Sequence, residues 1–160
     1  MQGDVGTFFR YKGKLHNFRN EQSKVEHGTT TVEEALENLR AQMVMAMRYG
    51  STFLVDLYLS TPDFKQTFNN KEIFDADLVF DFEKFRERDN YMKFVKKEEI
   101  FSPGGMNNVF YLNEDFTIVL MTSLKEPELI DQLLQGLLLP ALPPCVPSPI
   151  NTKSRVLHLI

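Results

Sequence analysis

Two apolar runs in this chain end on groups that can do chemistry. The first, Thr52-Phe53-Leu54-Val55-Asp56-Leu57, follows directly on Arg48-Tyr49-Gly50 and finishes on an acid. A carboxylate at the end of a buried strand can hold the magnesium ion of a bound nucleotide through water. Hydrolysis of that nucleotide needs a second carboxylate, next in sequence, to orient the attacking water, and that position is Leu57. The second run, Phe116-Thr117-Ile118-Val119-Leu120-Met121-Thr122-Ser123, ends on two hydroxyls. Carboxyl ends of parallel strands are where α/β sheets bind ligands, once glycines and a helix N-terminus complete the site. The chain contains no Gly-x-x-x-x-Gly-Lys-Ser/Thr loop to cradle phosphates. Without it, Asp56 reads first as a strand-end residue that caps the following turn, and Thr122 and Ser123 take the same discount.

Other reactive types are poorly placed. His16 and His27 lie in a polar segment and His158 near the C-terminus, so no pair has the i, i+4 spacing of a zinc-binding helix, and all three read as solvated. No metal site is expected. Cys145 sits among prolines with no neighbour to lower its pKa, so it does not read as a nucleophile. Ser102-Pro103-Gly104-Gly105 lacks a lysine and precedes a strand pattern, which makes it a turn rather than a phosphate loop. Pro140-Ala141-Leu142-Pro143 and Pro144-Cys145-Val146-Pro147 have Pro-x-x-Pro spacing, but no adjacent basic residue completes a recognition motif, so a linker or tail is the better reading.

The elements that would position Asp56, Thr122 and Ser123 follow from periodicity. Thr31-Val32-Glu33-Glu34 is a capping box that opens a helix. Val32, Ala35, Leu36, Leu39, Met43, Ala46 and Met47 draw one apolar stripe along it to about Tyr49, with Met45 pointing elsewhere and Gly50 closing it. Thr52 to Leu57 lacks polar alternation, the pattern of a strand covered on both faces. Phe64 to Asn70 could form a short helical segment. Asp81 to Glu99 reads as an amphipathic helix or a long excursion that Asp89-Asn90 can break, its mixed charges a solvated face rather than a nucleic-acid patch. Asn107 to Leu112 reads as a strand, Phe116 to Ser123 as a second buried strand, and Glu128 to Leu139 as a last helix. The first thirty residues read as a polar connector with one strand near Thr7 to Tyr11, and residues 140–160 as an extended, mobile, Pro-rich tail.

With 160 residues, 42% of them hydrophobic, the chain can bury a proper core, and one globular domain is expected. A net charge of −4 gives no general attraction to nucleic acid or to anionic lipid. One cysteine rules out an intramolecular disulfide framework and fits a reducing compartment, so a cytoplasmic location is expected. No signal segment or membrane-spanning run is read from the sequence.

Order and wording together resemble the ATP-binding region of dynein heavy chains, an AAA module of the P-loop NTPase class. A phrase like Ala-Ile-Arg-Phe-Gly leads into a buried strand in that family, and here Ala46-Met47-Arg48-Tyr49-Gly50 does so. Lys65-Gln66-Thr67-Phe68 resembles a phrase found between the two strands, and Asp115 to Pro127 is similar to the family's acidic-aromatic turn, strand and Thr-Thr-Lys-Leu-Arg-Asn-Pro. The likeness spans about residues 35 to 139 in separated islands. It implies an α/β fold, the C-terminal half of an AAA-like parallel sheet flanked by helices over residues 31–139. It also implies Asp56 at the Walker B position and Thr122 or Ser123 at the sensor position facing a γ-phosphate. Half modules of this sort also look similar to the C-terminal part of IQ-motif and ankyrin-repeat proteins.

The departures, no phosphate loop and Leu57 in place of a glutamate, remove motor activity from what the resemblance implies. The expectation is therefore a non-catalytic scaffold or protein-interaction module, in a cytoskeletal or ciliary setting. It would use a protein partner or missing upstream chain, with no resident cofactor and Asp56, Thr122 and Ser123 as a vestigial cofactor site. The alternative is a nucleotide-binding domain whose phosphate loop comes from another segment or chain. A third reading is a small α/β adaptor whose likeness to AAA modules is accidental, which would gain if the strands carrying Asp56 and Thr122 were not neighbours.

Overall fold

The computed structural model describes residues 13–101, 109–125, 127–136 and 155–159. Its centre is a four-stranded sheet in the order β1 (Gly13–Asn17), β2 (Thr52–Tyr58), β3 (Thr117–Thr122) and β4 (Arg155–Leu159). The first three strands run parallel and β4 pairs antiparallel with β3. Helices α1 (Phe18–Glu26) and α2 (Val32–Tyr49) connect β1 to β2, and α6 (Pro127–Gly136) follows β3. Three one-turn helices, α3 (Ala76–Val79), α4 (Phe82–Phe85) and α5 (Arg88–Tyr91), lie between β2 and β3. A parallel sheet flanked by helices is the α/β class that the sequence pattern implies.

Local chemistry explains the best-defined elements. The Thr31 hydroxyl accepts from the Glu34 N–H at 3.2 Å while the Glu34 carboxylate accepts from the Thr31 N–H at 3.0 Å, so the capping box opens α2 as expected. Met43 and Met47 are fully buried on its inner stripe and Met45 is exposed. Gly50 closes the helix at φ +64°. Both faces of the sheet are apolar. Phe53, Val55, Leu57, Ile118 and Leu120 belong to the main core, and Leu54, Val119 and Met121 form a smaller cluster with Leu15.

Several segments differ from their sequence reading. The strand expected near Thr7 to Tyr11 lies outside the described residues, whereas 13–26, read as connector, is β1 and α1. These hide because β1 turns His16 toward the core and α1 anchors mainly through Phe18, which leaves no apolar period to detect. Residues 64–68 form turns and Asn70 bridges to Phe74, so 64–70 is not helix; the Asp63 carboxylate accepts from the N–H groups of Lys65 and Gln66 at 2.8 and 3.1 Å. The stretch 81–99 is an excursion of short helical turns whose first break falls at 86–87, not at Asp89-Asn90. There the Asn90 amide donates to the Lys84 carbonyl at 2.8 Å and folds the chain back.

Residues 109–112 are not strand, and 107–108 fall outside the described residues, as do 137–139 at the expected end of the last helix. Of the tail read as mobile, 155–159 is a strand paired with β3, and 140–154 lies outside the described residues.

Phenylalanines hold the excursion down. Phe18 of α1 stands 5.0 Å from both Phe64 and Phe68, and Phe64 meets Phe80 edge-on at 5.3 Å. Farther along, Phe94 lies 5.5 Å from Phe85, which in turn lies 6.1 Å from Phe116 at the start of β3. Such pairs add roughly 0.5–1.5 kcal/mol each beyond their area burial.

Gly50 is the tightest local constraint. A Cβ there would come within 2.4 Å of Asn113 Oδ1, and Asn113 donates its N–H to the Met47 carbonyl at 3.0 Å. Gly50→Ala is expected to lower the urea midpoint at unchanged m, by about 1–2 kcal/mol of stability, through left-handed strain and the displaced Asn113.

Candidate functional site

β2 and β3 are hydrogen-bonded neighbours, so Asp56, Thr122 and Ser123 do meet at the carboxyl end of the sheet. They meet around Tyr58. The β2–β3 register slips between Asp56 and Tyr58, a bulge that leaves Leu57 out of the ladder. Tyr58 adopts φ +54°, a left-handed conformation that costs a side-chain-bearing residue roughly 1–2 kcal/mol.

The polar groups around it hold that conformation. Asp56 Oδ1 accepts from the Tyr58 N–H at 3.0 Å. The Tyr58 carbonyl accepts from the Thr122 hydroxyl at 3.1 Å and from the Ser123 N–H at 2.7 Å. Thr122 Oγ1 also accepts from the Leu124 N–H at 3.2 Å, which occupies its donor and one acceptor lone pair. The Arg19 guanidinium lies over the Tyr58 ring at 4.5 Å and ties the bulge to α1. Leu57 is fully buried in the main core. A glutamate in that orientation would be driven into apolar packing rather than toward a nucleotide.

Sequence reasoning missed two polar centres. Arg40 of α2, 3% exposed, pairs with Glu37 at 2.8 Å and with Glu99 at 2.8 Å, and donates to the Phe94 carbonyl. Lys96 closes the cluster on Glu37 at 2.6 Å, and Arg48 donates to the Glu99 carbonyl. The hydrogen bond from Arg40 holds the Glu37 carboxyl down at about 2. Burial pushes Glu99 upward, but bonds from Arg40 and from the Lys96 N–H outweigh it and leave its pKa lowered. Burial likewise disfavours the Arg40 charge, and the two carboxylates reverse that and raise its pKa. Glu37 and Arg40 are three residues apart on α2, but Glu99 is 59 residues from Arg40, a distance that leaves no local signal of the cluster.

The second missed centre is His16. It reads as solvated in sequence but is 3% exposed, which corrects that reading; its position on β1, facing Phe18 and Phe53, is the cause. Desolvation lowers its pKa. His27 matches the reading: it is exposed, its ring within hydrogen-bond distance of the Ser23 carbonyl. The side chains of Cys145 and His158 lie outside the described set.

Among the described residues no helix is long and apolar enough to cross a membrane, and no group of three or more His, Cys, Asp and Glu is placed to hold a metal ion. No protein-family model, no curated protein and no solved structure matches the chain.

Two outcomes are expected from these contacts. Thr122→Val should cost about 1–2 kcal/mol in chemical denaturation, because it strands the Leu124 N–H and removes a bond to Tyr58. Arg40→Ala should cost about 2 kcal/mol, because it removes two ion pairs and the bond to the Phe94 carbonyl and leaves only Lys96 to hold Glu37. Carboxylates with depressed pKa values stabilise the fold above their unfolded value and lose that contribution as pH falls. Wild-type melting temperature should therefore decline from about pH 4.5 toward pH 2, with a smaller decline in Arg40→Ala.

Proposed function

We propose that the chain is a non-catalytic, dynein-like AAA half module that works as a protein-interaction or scaffold piece. The observation that carries this reading is the use made of the Walker B and sensor positions. One Asp56 carboxylate oxygen, the Thr122 hydroxyl and the Ser123 N–H all bind the backbone of Tyr58. Leu57, at the position of a catalytic carboxylate, supports the same reading by its burial in the main core.

Parallel adjacency of β2 and β3 is what the resemblance requires and is in keeping with it. Among the described residues β1 is the outer strand on its side, and its free edge suits a protein partner or an upstream stretch of the same fold. The cytoskeletal or ciliary setting, and a parent of the IQ-motif and ankyrin-repeat kind, rest on the resemblance.

One observation favours a second reading. Asp56 and Thr122 stand on neighbouring strand ends, so a phosphate loop donated by another segment or chain would find an acid and a hydroxyl together.

Calorimetry with magnesium and ATP or ADP separates the two, using wild type and Asp56→Ala, each shown to be folded by circular dichroism. No saturable heat at millimolar nucleotide is the expected result. Saturable binding that disappears in Asp56→Ala would replace the scaffold reading with a nucleotide sensor.

A further inference from the structure

His16 is a buried base on β1, the outer strand on its side among the described residues. It is 3% exposed, in parallel register with Val55, and its ring stands 6.2 Å from Phe18 and 6.1 Å from Phe53. Among the described residues its Nε2 has no hydrogen-bond partner. The charged groups acting on it both come from α1: Glu21, which favours its proton, and Lys24, which opposes it. Those two are paired with each other at 3.0 Å. From α2 comes the uncharged Gln42, whose hydrogen bond to the ring favours its proton but is outweighed by burial, and from β2 the Phe53 ring. The protonated ring would thus sit among aromatic side chains with its nearest anion already engaged.

We propose that β1 and α1 form an acid-released flap, in which protonation of His16 detaches Gly13–Glu26 from the sheet and bares the β2 edge. The architecture favours local release over global unfolding. Among the described residues β1 is bonded to a strand on one side only, and besides the turn at 27–31 the unit is held to α2 by packing of α1 and β1 rather than by a further ladder. Detachment withdraws Phe18 from Phe64 and Phe68 and frees backbone groups from Thr52 to Asp56 to pair with another strand.

The sign follows from linkage. With the closed-state pKa below the ordinary 6.5, the open form binds more proton, so closure is strongest above 6.5 and weakens as pH falls through that value. One proton is taken up, which limits the effect to about tenfold per pH unit. Glu37 and Glu99 titrate below 4.5 and stay out of this window.

Hydrogen exchange on the full chain, corrected for intrinsic rates, tests the flap between about pH 7.5 and about pH 5.5. Amides of 14–26 and those of β2 bonded to β1 should lose up to about tenfold protection per unit, while the α2 and β3 cores keep theirs. His16→Leu should abolish the dependence and His27→Gln should retain it. Should His16→Leu fail to fold, the His16 ring resonances of wild type must titrate over the same pH range in which protection is lost. Constant protection of 14–26, loss shared equally with α2 and β3, or an unchanged dependence in a folded His16→Leu would each overturn the proposal.

Discussion

Among the described residues a single buried cation holds the excursion between β2 and β3 in place. Arg40 projects from α2 into a place that is 3% exposed, where an unpaired guanidinium could not be tolerated. Its neutralisation requires Glu37 from its own helix and Glu99 from the far end of the excursion, with the Phe94 carbonyl accepting a further hydrogen bond. The chain from α3 to the turn at Lys97–Glu99 contains no helix longer than four residues, so little regular hydrogen bonding holds it. Its position comes from this ion cluster and from phenylalanines packed against α1 and β3. Because the cluster spans two elements, it also makes α2 the platform on which the excursion rests.

The strand ends obey a different constraint. β2 lies at the centre of three parallel strands, and a bulge before Tyr58 puts that residue into a left-handed conformation. The bulge interrupts the ladder at its N–H and C=O, which still require partners because an unpaired backbone group costs about as much as a lost hydrogen bond where water is excluded. Asp56, Thr122 and Ser123 supply those partners. The same polar residues that resemble a magnesium and phosphate site therefore serve the backbone, and Leu57 completes the packing beneath them.

How far the sequence could be read depended on where each element keeps its information. α2 was legible because its capping box, apolar stripe and terminal glycine all lie within twenty consecutive residues. β2 and β3 were legible because strands buried on both faces leave unbroken apolar runs. β1 and α1 were not, since an inward histidine and a nearly solitary phenylalanine carry no period. The pairing of β4 with β3 was also hidden, because a ladder is formed by backbone groups that every sequence offers. At the candidate site, the residue types and strand-end positions could be read, but the bulge that engages them could not.

Short-range order was thus set by the sequence itself: the start and stop of α2, the two central strands, the inward Met43 and Met47 and the outward Met45. Such features depend on side-chain periodicity and on capping groups a few residues apart, and need no knowledge of the rest of the chain. Tertiary structure alone decided which polar groups face which. It buried His16, brought Glu99 to Arg40 across 59 residues, and turned Asp56, Thr122 and Ser123 onto the backbone of Tyr58. The physical reason is that desolvation and charge pairing depend on distance in space, and strand register and chain crossing set that distance without leaving a local trace.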